Sequence, residues 1–187
     1  MDPEPRVDLS SFNNSWYSPG ASRIRVIAWY FVNHLVVYNR LLPFSGLKIA
    51  ALRAFGARIG KGVFIKPGVR VKYPWLLEIG NYVWIGEDVW IDNLAQVTIN
   101  DHVCLSQGAM LLCGSHNYRS ASFDLLVKPI HLEKGVWIGA QAVVCPGVQC
   151  KKYSLLAVGS VATHQLKENG IYQGNPALLK RERFIEK

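Results

Sequence analysis

An aliphatic residue recurs every six positions over more than half of the chain. It stands at Ile59, Ile65 and Val71, at Ile79, Ile85 and Ile91, and at Ile99, Leu105 and Leu111; after an interruption it returns at Leu132, Ile138, Val144, Cys150, Leu156 and Ala162. Two positions before each lies a second apolar or small residue, from Ala57, Val63 and Val69 down to Val148, Ser154 and Ser160. Helices repeat at 3.6 residues and lone strands at 2, so neither produces a period of six. The pattern predicts a short strand followed by a tight corner, with three such faces to a turn. Each turn stacks on the last and its inward side chains join one continuous column. Val71 to Ile79 and Ile91 to Ile99 are each eight residues, so the excess over six falls at the same corner of successive turns. Five turns are countable, opening at Ile59, Ile79, Ile99, Leu132 and Cys150. Glycine after the aliphatic residue, as in Ile79-Gly80 and Ile138-Gly139, suits corners where φ is positive or backbones approach closely.

Upstream of the hexads the pattern changes. Ile24 to Leu42 is strongly apolar and aromatic, with Arg23 and Arg25 at its start and Arg40 near its end. Its uncharged run, Val26 to Asn39, is 14 residues, short of the about 20 that a membrane-crossing helix needs. A helix is expected, with two readings. It packs across one end of the coil and covers the exposed strand edge, or it lies in a membrane interface with its basic flanks toward the lipid. Leu47 to Phe55 is expected as a second short helix ended by Gly56. Residues 1–20 read as a polar arm without the pattern of a signal peptide. The expected organisation is an arm and helical segment over 1–56, a coil over 57–167 with an inserted loop at 112–129, and a C-terminal turn and helix over 168–187.

The interruption from Leu112 to Pro129 is too long for a corner and carries no hexad. It is read as a loop thrust out of the third turn, which is a usual way to build a site on a solenoid. His116 opens it, followed by Asn117 and Tyr118. Histidine changes charge near neutral pH, so it suits removal of a proton from a hydroxyl; the plain alternative is a polar loop residue without chemistry. His34, His102, His131 and His164 fall in the helical segment or at outward hexad positions.

The hexads, Gly114-Ser115-His116-Asn117, Val136-Trp137-Ile138-Gly139-Ala140, Val144-Cys145-Pro146-Gly147-Val148 and Gly174-Asn175-Pro176-Ala177 together resemble the hexapeptide-repeat acyltransferases, over roughly residues 57 to 183. Ile91-Asp92-Asn93-Leu94 with His116 and Phe123-Asp124-Leu125 is similar to the exopolysaccharide, colanic-acid type of acetyltransferase, with galactoside and maltose acetyltransferases as broader relatives. The resemblance implies a left-handed parallel β-helix and a homotrimer with active sites between subunits. It implies acetyl transfer from acetyl-CoA to a sugar hydroxyl, with His116 as general base. Asp92 and Asn93, one turn before His116, would contact the saccharide together with Asn117 and Tyr118, with Asn93 preferred over Asp92. For coenzyme, small residues that let pantetheine lie along the backbone are Gly139, Ala140, Ala157, Gly159, Ser160 and Thr163, with Val158 also at the coenzyme and Ser106 or Ala140 near the thioester oxygen. Asn175 and Pro176 would touch adenine, and Lys180, Arg181 and Arg183 the phosphates, Arg181 matching best; the plain alternative for the cluster is a solvated helical tail. Outward Trp84, Trp90 and Trp137 are expected at subunit contacts.

Length and composition narrow this further. With 187 residues, half of them apolar, one core is expected. The four cysteines lie in or beside hexads without CxxC spacing, so small buried thiols and a reducing, cytoplasmic setting are expected. The net charge of +8 fits anionic coenzyme, a glycan carrier or an acidic membrane surface; no nucleic-acid motif accompanies it. A zinc enzyme of the same coil, similar to γ-class carbonic anhydrases, would carry a histidine pair five residues apart, and residue 121 is alanine. No metal is therefore expected. Acetylation of a small molecule such as an antibiotic, or a non-catalytic scaffold, are the alternative functions.

Overall fold

The structure, a computed structural model, describes residues 6–186. The hexads build a three-faced parallel β-coil. The first face stacks strands 58–59, 77–79, 97–99, 130–132 and 149–150; the second stacks 64–65, 84–85, 104–105, 137–138, 155–156 and 170–173; the third stacks 70–71, 90–92, 110–112, 143–144 and 161–162. Register is fixed at one turn per twenty residues early in the coil, with Ile59 beside Ile79, Ile65 beside Ile85 and Val71 beside Ile91. Both apolar positions of the hexad point inward: Ile65, Ile85, Leu105, Ile138 and Leu156 are buried, and so are Val63, Val83, Val103, Val136 and Ser154. Five turns are complete, and the chain adds two faces of a sixth through Leu166 and strand 170–173, so the coil runs past residue 167.

Corners explain the non-aliphatic letters of the hexad. Corner one, between the first and second faces, places one residue per turn in the left-handed region: Gly62, Tyr82, His102, Gly135, Tyr153 and Asn169. Corner two, between the second and third faces, does the same with Gly68, Asp88, Gly108, Gln141 and Gly159. Outside glycine that conformation is uncommon and favours Asn, Asp and His. Corner three, between the third and first faces, is the long one.

The N-terminal segment closes the open end of the coil. Helix α1 (Arg23–Val32) runs into a π-helical turn at Asn33–Val37, and helix α2 (Ser45–Ala54) follows. Gly56 at φ +99° ends α2 in a Schellman turn, with Gly56 N–H bonded to Arg53 O and Ala57 N–H to Leu52 O. A first strand of a sheet offers unpaired backbone groups, and side chains from this segment meet them on all three faces. Arg53 donates to Ile59 O and Gly60 O. Ser45 Oγ accepts from Ile65 N–H, and buried Lys48 donates to Lys66 O and Val37 O. Trp29 Nε1 donates to Val71 O at 2.9 Å. The capping reading of this segment therefore describes its inner side. Its outer side is apolar and exposed: Ile24 is 81% exposed and Leu35 66%.

The C-terminal segment differs from expectation. Leu178–Glu182 is a strand, antiparallel to 170–173, instead of a helix. Strand 170–173 would otherwise present a free edge, and pairing with it outweighs the helical bias of the charged tail. Arg183 then reaches Gly135 O and Tyr153 O at 3.0 and 3.1 Å and ties down corner one. The interrupted segment also has order: Gly114–His116 pairs antiparallel with Leu125–Val127, with His116 opposite Leu125. The inserted loop is thus a β-hairpin standing on corner three of the third turn.

Candidate active site

His116 sits at the outer end of that hairpin. Its Nδ1 lies 2.8 Å from Phe123 O. A carbonyl oxygen only accepts, so the neutral ring carries its proton on Nδ1 and leaves the Nε2 lone pair free. The Phe123 ring stacks on the imidazole, 4.3 Å away and 7° from parallel, and Phe12 closes in at 5.7 Å from the arm. Phe123 has φ +50°, a conformation that costs a bulky residue about 1–3 kcal/mol and points to a functional constraint. Asn117 N–H to Asp124 O, 2.8 Å, closes the hairpin tip. The Asp124 carboxyl, held below the usual range by the Ser122 and Ser120 hydroxyls, anchors the turn between.

A cavity of about 530 Å³ opens beside the ring. Its far wall is Asp92 and Lys72, paired at 2.9 Å on adjacent turns. Its roof is the arm, through Phe12, Asn14 and Tyr17. The arm is held by Asp8 N–H to Ala121 O, by Tyr17 hydroxyl to Leu94 O (2.8 Å each), and by Trp75 Nε1 to Pro19 O. Burial, then Tyr73 and Asp92, push the Tyr17 hydroxyl up, so it stays a neutral donor.

The predicted acceptor residues divide. Asp92 faces the cavity. Asn93 is fully buried and faces the other way: its Nδ2 donates to Tyr73 O and Leu76 O, and its Oδ1 accepts from Tyr73 N–H. It clamps corner three of the preceding turn and has no surface left for a sugar, so the preference for Asn93 is reversed. Tyr118 is 74% exposed and lies in a separate surface hollow with Arg6 and Val7. Asn117 Oδ1 accepts from Arg119 N–H within the hairpin tip. Neither Tyr118 nor Asn117 lines the His116 cavity. Phe12, Asn14, Tyr17, Lys72 and Tyr73 line it and were not foreseen; the aromatic arm and its Trp16-Tyr17 pair were the available signal.

The predicted coenzyme residues collect mainly along corner two. Ser106 follows the second-face strand of turn three and accepts a bond from Trp137 Nε1 at 2.9 Å. Ala140, then Val158 and Gly159, occupy the same corner of turns four and five; Val158 is 68% exposed and Gly159 is exposed. Gly139 is buried, and a Cβ there would meet Val158 N at 2.7 Å. Its small size serves stacking of turns, not coenzyme contact. The Gly174–Ala177 turn is bonded on both sides to Val161 and leaves Asn175 and Pro176 exposed near this edge. Lys180 and Arg181 are exposed on the last strand. Thr163 lies at corner three beside Pro146 and Lys128, on the opposite edge of the third face. His116 also stands on that opposite edge, with strand 110–112 between it and Ser106.

Among the described residues no three His, Cys, Asp or Glu side chains gather in a metal-binding group. No helix of the described residues is long and apolar enough to cross a membrane. The four cysteines are unpaired.

The structure thus joins a hexad coil to a histidine raised on a hairpin beside a cavity. The comparisons place it more narrowly. No protein-family model matches the chain. A protein of Escherichia coli K12 named as the colanic acid biosynthesis acetyltransferase WcaF is 34% identical over 176 residues, covering 94% of this chain and 97% of that one. A hexapeptide-repeat acetyltransferase of Vibrio cholerae, solved with acetyl coenzyme A, superposes with a TM-score of 0.75 at 23% identity over 87% of each chain. A galactoside acetyltransferase solved with coenzyme A gives 0.75 at 22% identity, over 85% of this chain and 80% of that one. The chain belongs to the hexapeptide-repeat acetyltransferase family, and its coil is the left-handed parallel β-helix.

Proposed function

We propose that the protein transfers the acetyl group of acetyl-CoA to a hydroxyl of a saccharide in cell-surface polysaccharide synthesis. The observation that carries this reading is the His116–Phe123 arrangement beside Asp92. The acceptor hydroxyl gives its proton to Nε2 as its oxygen attacks the thioester carbonyl. The tetrahedral adduct collapses, the C–S bond breaks, and the departing thiolate takes the proton back from the imidazolium. Asp92 orients the sugar by accepting from its other hydroxyls, and the Lys72 ammonium holds that carboxylate in place. Coenzyme supplies the activated acetyl group; Ala140, Val158, Gly159, Asn175 and Pro176 hold its chain and adenine, and Lys180 and Arg181 its phosphates. The relative named for colanic acid and the galactoside acetyltransferase support a sugar acceptor over an antibiotic.

The placement of these groups favours a homotrimer. His116 and corner two lie on opposite edges of one face, so a site containing both is completed by a neighbouring subunit, with Trp84 and Trp137 exposed on the second face for that contact. The apolar outer side of α1 supports peripheral contact with a membrane on the cytoplasmic side and hence a lipid-linked acceptor. The test is release of coenzyme A from acetyl-CoA with sugar acceptors. His116→Ala is expected to lower kcat about 10²–10⁴-fold with an unchanged melting temperature. Wild-type turnover in that variant would sink the reading.

A further inference from the structure

A second cavity, of about 320 Å³, lies between α1 and the first two turns of the coil. Lys72, Tyr73 and Asp92 form its wall on one side and the wall of the His116 cavity on the other. The two spaces are therefore neighbours across the Lys72–Asp92 pair. Nothing in the acetyl-transfer step uses the second one.

Its walls are amphipathic in a particular way. Tyr30 and Trp90 bring aromatic rings to it from opposite sides, one from α1 and one from the third face. Trp29 also lines it, but its N–H is committed to Val71 O, so it adds only an apolar surface. The Arg70 guanidinium lies 5.2 Å from the centroids of both Tyr38 and Trp90, a cation over two aromatic rings at the margin of the cleft. His34 Nδ1 is 3.0 Å from Tyr30 O, which makes Nε2 the acceptor. The Asp92 carboxylate adds a second acceptor on the ridge. Flat aromatic faces with donors and acceptors at their margins match a pyranose ring, which has apolar C–H faces and a polar rim. The charge balance argues against a phosphate. Lys72 is neutralised by Asp92, and Arg70 is shared between two rings.

We infer that this cleft is a second saccharide subsite, which binds the sugar unit next to the one acetylated, so that the acceptor is an oligosaccharide or a growing glycan and not a free monosaccharide. The inference rests on the reading of the His116 cavity as the acceptor site. One unit lies at Nε2, the glycosidic linkage crosses the Lys72–Asp92 ridge, and the next unit stacks between Tyr30 and Trp90.

The test uses the full chain with acetyl-CoA and a panel of methyl monosaccharides beside the di- and trisaccharides that carry the same sugars at their ends. At least one oligosaccharide is expected to exceed its own monosaccharide in kcat/KM by tenfold or more. Tyr30→Ala and Trp90→Ser are each expected to bring that ratio to within about twofold of one. Tyr30 is 60% exposed, so its variant tests the cleft without threatening the fold. The inference is overturned if no oligosaccharide is preferred, or if the preference survives in Tyr30→Ala. It is overturned in favour of an anion site if inorganic pyrophosphate competes with the acceptor and Arg70→Gln removes that competition. The His116→Ala variant separates the two readings: it loses mono- and oligosaccharide turnover alike if His116 is the base. If it stays active while Tyr30→Ala loses the oligosaccharide preference, the base assignment fails and the cleft stands.

Discussion

His116 and Phe123, seven residues apart in the chain, face each other across the tip of the hairpin, bonded from Nδ1 to carbonyl at 2.8 Å and stacked ring on ring. The pair explains why the solenoid is interrupted at all. A corner residue of the coil projects from a rigid stack but has nothing beyond it to hold a ring in one orientation. The tip of the hairpin, through Phe123, supplies both a tautomer-setting acceptor and a stacking partner. Phe123→Ala keeps the carbonyl and removes the ring, so it is expected to lower kcat about tenfold, equivalent to about 1.4 kcal/mol of the barrier. KM for acetyl-CoA should not change. Steady-state kinetics decide; a variant with the full wild-type kcat would show that the imidazole needs no ring behind it.

Asp92 and Asn93 are adjacent in the chain and face opposite ways, one to the cavity and one to the core. Asp92→Asn keeps the shape of the cavity but loses the carboxylate paired with Lys72, so kcat/KM for the sugar should fall at least tenfold with little change in melting temperature. Asn93→Ala leaves Tyr73 N–H and C=O without their partner, at about 1–3 kcal/mol. At about 2–4 °C per kcal/mol for a chain of this size, its melting temperature should fall by several degrees. The reverse pattern, with Asn93→Ala stable and inactive, would restore Asn93 as the acceptor residue.

That pair also shows where sequence reading ends. The coil was legible because each hexad marks two inward positions and the marks recur in phase; every one from Ile65 to Ala162 is buried. The phase also placed Asp92 and Asn93 at corner three. Phase alone does not say which of two polar neighbours turns inward, because that depends on the backbone groups of the previous turn. The arm was opaque for a related reason. Tyr17 meets Leu94 across 77 residues, and no local pattern encodes such a contact. Leu178–Glu182 reads as helix by composition, and only the free edge of strand 170–173 makes it a strand.

The core carries a pH signature. Burial pushes the Cys150 thiol up to about 12 and the Cys113 thiol up to about 11. Both thiols keep their protons in the folded state at pH values where an unfolded chain, near the ordinary value of 9.0, has lost them. The folded state then binds more protons, and stability falls as pH rises from about 9 toward 11–12. Lys48 acts in the opposite sense, since burial lowers its pKa from 10.5. Cys150→Ala isolates the thiol: its melting temperature relative to the wild type should improve between pH 7 and pH 10.5. Native protein at pH 8 should not be alkylated by iodoacetamide at Cys150 or Cys113. A melting difference that does not change with pH would rule out the buried thiol as its source.

Helix α1 and the π-helical turn after it present Ile24, Ile27, Phe31 and Leu35 to solvent at helical spacing, each at least 58% exposed. An interfacial helix with basic neighbours binds anionic bilayers through its buried apolar area and its charge. The protein should co-sediment with phosphatidylglycerol vesicles and much less with neutral ones. The double change Ile27→Glu and Phe31→Glu should abolish sedimentation, while turnover of a soluble sugar persists. Equal sedimentation of this variant would rule out α1 as the contact.

The strongest test of assembly uses the separation of His116 from corner two by the width of the third face. If one subunit supplies the base and its neighbour the coenzyme groove, two inactive chains complement each other. His116→Ala lacks the proposed base, and Ala140→Trp fills the corner proposed for coenzyme. In a cyclic trimer containing both kinds of chain, whichever is in the majority, the order around the ring places one intact histidine against one intact groove. About a third of wild-type activity per mixed trimer is therefore expected after co-expression and separation by two affinity tags, against background in each parent. If histidine and groove meet within one chain, every site in the mixed trimer carries one lesion and activity stays at background. Sedimentation of both parents as trimers, with unchanged melting temperatures, keeps misfolding from mimicking that second outcome.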